Sequence, residues 1–207
     1  MTSTKKKAAE AESGDAQVPQ SKSETKNGKA KRASKQPVNP FWDFSLAVYE
    51  RAGTAPACLA LQDSKNLDVN LLLFCCWAGS LGHALKPAEI ASLTKAVKPW
   101  QADVVSPLRA LRRQLHSGGD YEGSSAALLG KIKDAELEAE AVQQQMLFEV
   151  LPLETGEASA KIAAENLKTY AKLVKVECDS AVTADLAAVL RGAFPLLAPL
   201  EAVWTLI

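Results

Sequence analysis

The chain reads as an all-α protein: a single globular helical bundle of about seven or eight helices with a disordered N-terminal tail. Three observations predict this. Ala, Leu, Glu, Lys and Gln dominate after residue 40, while runs rich in Val, Ile, Thr and Tyr are scarce. Apolar residues recur at helical spacing over the same region. Hydrophobic residues form 47% of the 207-residue chain, and they concentrate after residue 40, which is enough to bury a core. The expected division is 1–38 for the tail and 39–207 for one helical domain.

Residues 1–38 consist mostly of Lys, Ser, Ala, Glu and Gln with almost no large apolar side chain. Such a segment cannot bury enough surface to offset its ordering entropy, so disorder is expected. The formal net charge is zero but unevenly spread. Residues 1–40 carry nine basic and four acidic side chains, and the remainder fifteen and twenty. The folded part is therefore mildly acidic, which argues against a nucleic-acid face there. A weak polyanion contact through Lys29, Lys31, Arg32 and Lys35 is the alternative to a solubilising role for the tail. Lys5, Lys6 and Lys7 precede no apolar stretch, so no signal peptide is expected. The longest apolar run, Leu71 to Gly79, is far shorter than the ~20 residues of a membrane span.

The elements follow in order. Asn39 is a good N-cap and Pro40 suits the first helical position, so a helix is predicted over Phe41–Arg51. It is apolar on most sides and belongs inside a bundle. A shorter helix is expected over Ala55–Asp63. Asp68 caps a third, Val69–Leu81, whose sequence VNLLLFCCWAGSL is apolar on every face and marks the central helix. Gly79 and Gly82 mark its end. Pro87 opens a fourth helix with Ile90, Leu93 and Val97 on one stripe. Pro99 is expected to open a fifth, which Pro107 should kink. Ser117–Ser125, with three glycines, reads as a loop. The long helix Ala126–Val150 is expected to bury Leu128, Ile132, Ala135, Ala139, Val142 and Met146, leaving Lys133, Glu136, Glu140 and Gln144 largely elsewhere. A seventh helix carries Ala163, Leu167, Tyr170 and Val174. A last helical segment covers Thr183–Arg191, and the apolar end FPLLAPLEAVWTLI should pack back on the domain.

The stretch NPFWDFSLAVYERAGTAPACLALQDSKNLDVNLLLFCCWAG, with PWQADVVSPLRALRRQL and KIKDAELEAEAVQQQML after it, resembles a known family. It is similar to a group of small uncharacterised proteobacterial proteins, a domain of unknown function defined by FW-FSL-VY, CL-LQD, DVNLLL and W-G segments. The resemblance covers roughly residues 39–150. It implies a bacterial, cytoplasmic, helical protein, and it carries over no catalytic or ligand residue.

Few residues invite a chemical role. Asp43, Gln62, Asp63, Asp68 and Asn70 sit beside or inside greasy helices. Together they could hold a divalent cation or supply an acid–base pair. The preferred account is structural: Asp68 caps, Asp43 favours the positive end of its helix, Gln62 and Asp63 end theirs, and Asn70 satisfies a nearby backbone group. Arg109, Arg112 and Arg113 form a candidate basic patch that could meet phosphates, but no DNA-binding signature accompanies them. A solvated face, or pairing with Glu136–Glu140, is preferred. The four cysteines, Cys58, Cys75, Cys76 and Cys178, form no CxxC pair and are expected as reduced, buried thiols suited to a cytosol. His83 and His116 are isolated, the glycine loop lacks a GK[ST] sequence, and no triad is visible. The stripe Trp42, Phe44, Trp77 and Trp100 reads as core and not as a cofactor box.

No cofactor and no metal are expected. The first functional expectation is a non-enzymatic cytoplasmic interaction or accessory protein. It would contact a protein partner, or itself, through the long helix and the apolar C-terminal end. The alternative is a small enzyme or ligand- or metal-binding protein whose pocket is rimmed by the five polar residues, so an enzymatic role stays open. The discriminating observation is whether those residues converge on one cavity.

Overall fold

The computed structural model describes residues 39–117 and 126–207. The expected tail and most of the expected glycine loop lie outside the described residues. The described residues form helices only. In chain order these are α1 (Pro40–Tyr49), α2 (Thr54–Lys65), α3 (Val69–Ser80) and α4 (Pro87–Trp100). A π turn (Gln101–Val105) leads straight into α5 (Ser106–His116). Then come α6 (Ala126–Val150), α7 (Ala160–Leu173), α8 (Ser180–Ala193) and α9 (Pro199–Leu206).

The helix starts follow from side-chain chemistry. Asn39 Oδ1 accepts the Trp42 amide at 2.9 Å, and Pro40 occupies the first turn, where its missing N–H costs nothing. Asp68 Oδ1 accepts the amides of Asn70 and Leu71 at 2.9 and 3.4 Å. Ser159 and Asp179 cap α7 and α8 in the same way.

α3 is the axle of the bundle: every residue from Asn70 to Gly79 is buried. Its most extensive partner is α7, and α1, α2, α6 and α8 complete the surround. Phe41, Phe74 and Trp77 meet with ring centroids 5.2 to 5.3 Å apart, in edge-on and tilted arrangements. Each such fully buried side chain contributes ~1.5–3 kcal/mol through removal of apolar area from water. The turn after α3 is held by Asn166 of α7. Its Nδ2 donates to the carbonyls of Cys75 and His83 at 3.2 and 3.0 Å, and its Oδ1 accepts the Leu85 amide at 2.8 Å.

Several expectations are corrected. Pro99 opens no helix; it lies inside α4. Proline removes a donor and crowds the carbonyl four residues earlier. Between Pro99 and Pro107 the backbone widens into the π turn, where the Ser106 N–H reaches the Gln101 carbonyl five residues back. The helical path therefore continues from Pro87 to His116, and Pro107 falls in the first turn of α5. α1 is not enclosed on all sides: Leu46 and Tyr49 are exposed. On α6 the expected apolar stripe is displaced. Leu128 and Val142 are exposed, while Glu136, Gln143 and Gln144 are buried with Ala139 and Leu147. The C-terminal end packs back only in part. Ala202 and Leu206 of α9 are buried, but Leu196, Leu200, Trp204 and Ile207 are open to solvent. Cys58, Cys75 and Cys76 are buried, whereas Cys178, in the connection before α8, is exposed.

Candidate functional site

The inverted face of α6 has a cause. Glu136, Glu140 and Gln144 recur every four residues and so share one side of the helix. Two arginines of α5, three residues apart, face that side. Arg109 donates from Nε to Glu136 Oε1 at 3.1 Å and from Nη2 to Glu140 Oε1 at 2.6 Å. Arg112 donates from Nε and Nη2 to both oxygens of Glu136. Side-chain exposure is 12% for Arg109 and 9% for Glu136, so these pairs are largely desolvated, and neither charge is stable there without the other. Deeper in, Gln144 Nε2 donates to Asn70 Oδ1 at 2.8 Å, and Gln143 Nε2 to Asp68 Oδ2 at 2.6 Å. The Asp68 amide donates to the Tyr170 hydroxyl at 3.0 Å.

These polar groups floor a cleft between α1, α2, α3, α5 and α6. Its inner chamber, of about 160 Å³, is walled by apolar side chains such as Trp42, Leu46, Leu59 and Leu73. Ser45, Tyr49, Asn70, Glu140 and Gln144 also line it. An outer chamber of about 460 Å³ is more polar and includes Asp63, Asp68, Lys98, Gln101 and Arg113. Gln62 and Arg109 line both, so the chambers meet across those two side chains. Leu46 and Tyr49 are open because this cleft lies beside them.

The electrostatics follow from burial and pairing. Burial raises the Glu140 pKa above the usual glutamate range, against the pull of Arg109. Burial likewise raises Asp68, opposed by its hydrogen bonds from Gln143 and the cap amides. Tyr49 is raised, chiefly by burial. Asp63, at the surface, is lowered by its hydrogen bond from Arg113. Two residues that line the inner chamber each carry a buried polar atom without a hydrogen-bond partner, Ser45 Oγ and Gln144 Oε1, and each residue is only 3% exposed.

The sequence-based candidates are thus partly gathered. Gln62 and Asn70 line the inner chamber, and Gln62, Asp63 and Asp68 the outer one. Asp43 is exposed in the first turn of α1 and belongs to neither lining. Asp68 is the cap it was expected to be, but Asn70 bonds to Gln144 and not to backbone. Arg109 and Arg112 join the same inner chamber, while Arg113 turns to Asp63 in the outer one. Among the described residues no group of three or more His, Cys, Asp or Glu side chains could hold a metal ion, so Asp43, Asp63 and Asp68 do not converge. Ser45, Tyr49 and Gln144 were not foreseen. The one sequence signal for them is the four-residue spacing of polar side chains on α6, opposite the arginines of α5.

A helical bundle with an open, polar-floored cleft is the class of protein that this fold and site define. The chain belongs to a family known only as protein of unknown function (DUF2390), whose model matches residues 40–147. That match takes in every element lining the cleft. No curated protein and no solved structure matches the chain. Among the described residues no helix is long and apolar enough to cross a membrane.

Proposed function

We propose that this protein binds a small organic molecule in the cleft between α1, α2, α3, α5 and α6. The observation that carries the reading is the convergence of Gln62, Asn70, Arg109 and Arg112 on one chamber whose remaining wall is largely apolar. An apolar cavity with a few convergent polar groups is the usual form of a ligand site. The role is binding and not catalysis, because Glu136 and Glu140 are engaged by arginines and neither stands free as a general acid or base. Its setting is the cytosol, in keeping with four thiols that form no disulfide.

The test is an amide NMR titration of the ¹⁵N-labelled full chain with phenol as probe. Shifts should gather at Ser45, Tyr49, Asn70, Leu73 and Gln144. Leu73→Trp, which fills the chamber, should abolish them. Shifts that scatter over the surface, or that survive the filling, would sink the reading.

A second reading rests on a different observation. Leu200 and Trp204 of α9 are 74% and 72% exposed and Ile207, just after it, 76%, with a fully exposed Leu196 ahead of the helix. Side chains this apolar, gathered at one end, favour contact with a second copy of the chain. Sedimentation velocity would then find a dimer that Trp204→Ser dissociates; a monomer at the highest soluble concentration would reject it.

A further inference from the structure

The cleft also carries a statement about what enters it, and this deepens the binding reading and rests on it. The charges on its floor cancel: Arg109 and Arg112 are matched by Glu136 and Glu140 through four side-chain hydrogen bonds. An entering anion would find the guanidinium groups already engaged and two carboxylates nearby. An entering cation would lose its hydration and gain only carboxylates that arginines already hold.

What the chamber leaves unspent is neutral hydrogen bonding. Gln144 Oε1 is an acceptor only, since its own Nε2 is committed to Asn70. Ser45 Oγ can accept or donate and has no protein partner. The two residues sit on α1 and α6 and line one small chamber together with Trp42 and Leu73. Buried polar groups of this kind call for a partner.

We infer that the ligand is an uncharged molecule with an apolar body and at least one O–H or N–H donor, seated between Ser45 and Gln144. The donor goes to Gln144 Oε1, Ser45 Oγ takes or gives a second bond, and the body lies against the apolar wall.

Four probes of nearly one shape separate the possibilities: phenol, toluene, benzaldehyde and benzoate, each titrated into the full chain and followed at the cleft amides. Phenol should bind at least about fivefold more tightly than toluene, because toluene leaves the Gln144 acceptor bare. Benzaldehyde, an acceptor alone, should fall below phenol, and benzoate should be weakest. Ser45→Ala, a change a helix tolerates, should weaken phenol severalfold and leave toluene unchanged. Toluene, benzaldehyde or benzoate equal to phenol, or a Ser45→Ala protein that binds phenol as before, would overturn the donor requirement while leaving the cleft as a binding site. If none of the four moves the cleft amides, the chamber holds only water and both readings fall together.

Discussion

A methyl group placed on Gly79 would lie 2.4 Å from the Cβ of Ala163 and 2.6 Å from its backbone nitrogen. α3 and α7 therefore touch through backbone at this point, and the Gly79 carbonyl also accepts the Ser159 amide at 2.9 Å. Gly79→Ala must push the two helices apart. It should cost ~1–3 kcal/mol in urea unfolding, the usual penalty for overpacking. Gly130→Ala, at an exposed position of α6 with open space around it, should instead stabilise by ~0.5–1 kcal/mol. Equal effects at the two sites would contradict the close approach.

Removing Arg109 strands Glu140 in a mostly dry setting and leaves Glu136 to Arg112 alone. Arg109→Met is expected to destabilise by ~3 kcal/mol or more. Adding Glu140→Gln to it should recover much of the loss, since the stranded charge then disappears while Glu136 keeps Arg112. If the double variant is as unstable as the single one, the arginine acts through its shape and not its charge.

Asn166 bonds two backbone groups at the turn after α3, the His83 carbonyl and the Leu85 amide, and the Cys75 carbonyl within α3. Asn166→Ala leaves the Leu85 amide without its partner and takes a bond from each carbonyl, at a cost of ~2–3 kcal/mol. Hydrogen exchange should report the loss first at Leu85. Asn166→Asp should be no milder, because a carboxylate cannot donate to the carbonyls of Cys75 and His83.

Thiol chemistry should single out one cysteine. Burial pushes Cys58 up to about 12 and raises Cys75 and Cys76 further, so their reactive thiolates are scarce. Cys178 is exposed, and partial burial and the neighbouring Asp179 raise its pKa. Mass spectrometry of the native chain after brief alkylation should find a single adduct, at Cys178. Rapid adducts at Cys75 or Cys76 would mean that α3 opens.

The pH response of Glu140 has a definite sign. Its folded pKa is raised, so the native state holds a proton that the unfolded chain has already released. Stability attributable to this group is present at low pH. It is lost as pH rises through a window that opens at the ordinary glutamate value and closes at the raised one. Glu140→Gln removes that slope. Denaturation curves for the two proteins, compared across the acidic range, should diverge in this sense; a wild-type advantage that grows with pH would contradict it.

The parts of the fold that sequence reasoning reached are those written locally. Asp68 stands directly before an unbroken apolar run, and a cap followed by a helix with no polar face has no other place than the middle. Ile90, Leu93 and Leu167 also took their places by spacing alone. α6 defeated the same logic because polar side chains are assumed to face water. Glu136, Gln143 and Gln144 turn inward since Arg109, Arg112, Asp68 and Asn70 meet them there, and those partners lie far away in sequence. For the same reason the polar cluster and the basic patch read as two separate candidates, though Gln62 and Arg109 share both chambers. Pro99 misled for a different reason: proline is a strong stop signal locally, and the π turn beyond it lets the helical path continue.

The meeting of Gly79 with Ala163 bears on what the family match describes. The matched segment ends at Leu147, yet the broadest contact of its central helix is with α7, which begins at Ala160. The recognisable stretch is thus a motif without its own counterpart, like one half of a clasp. A fragment cut at its border would leave α3 bare along the side that α7 covers. In this chain the small residue that sits against that glycine, Ala163, comes from outside the matched stretch.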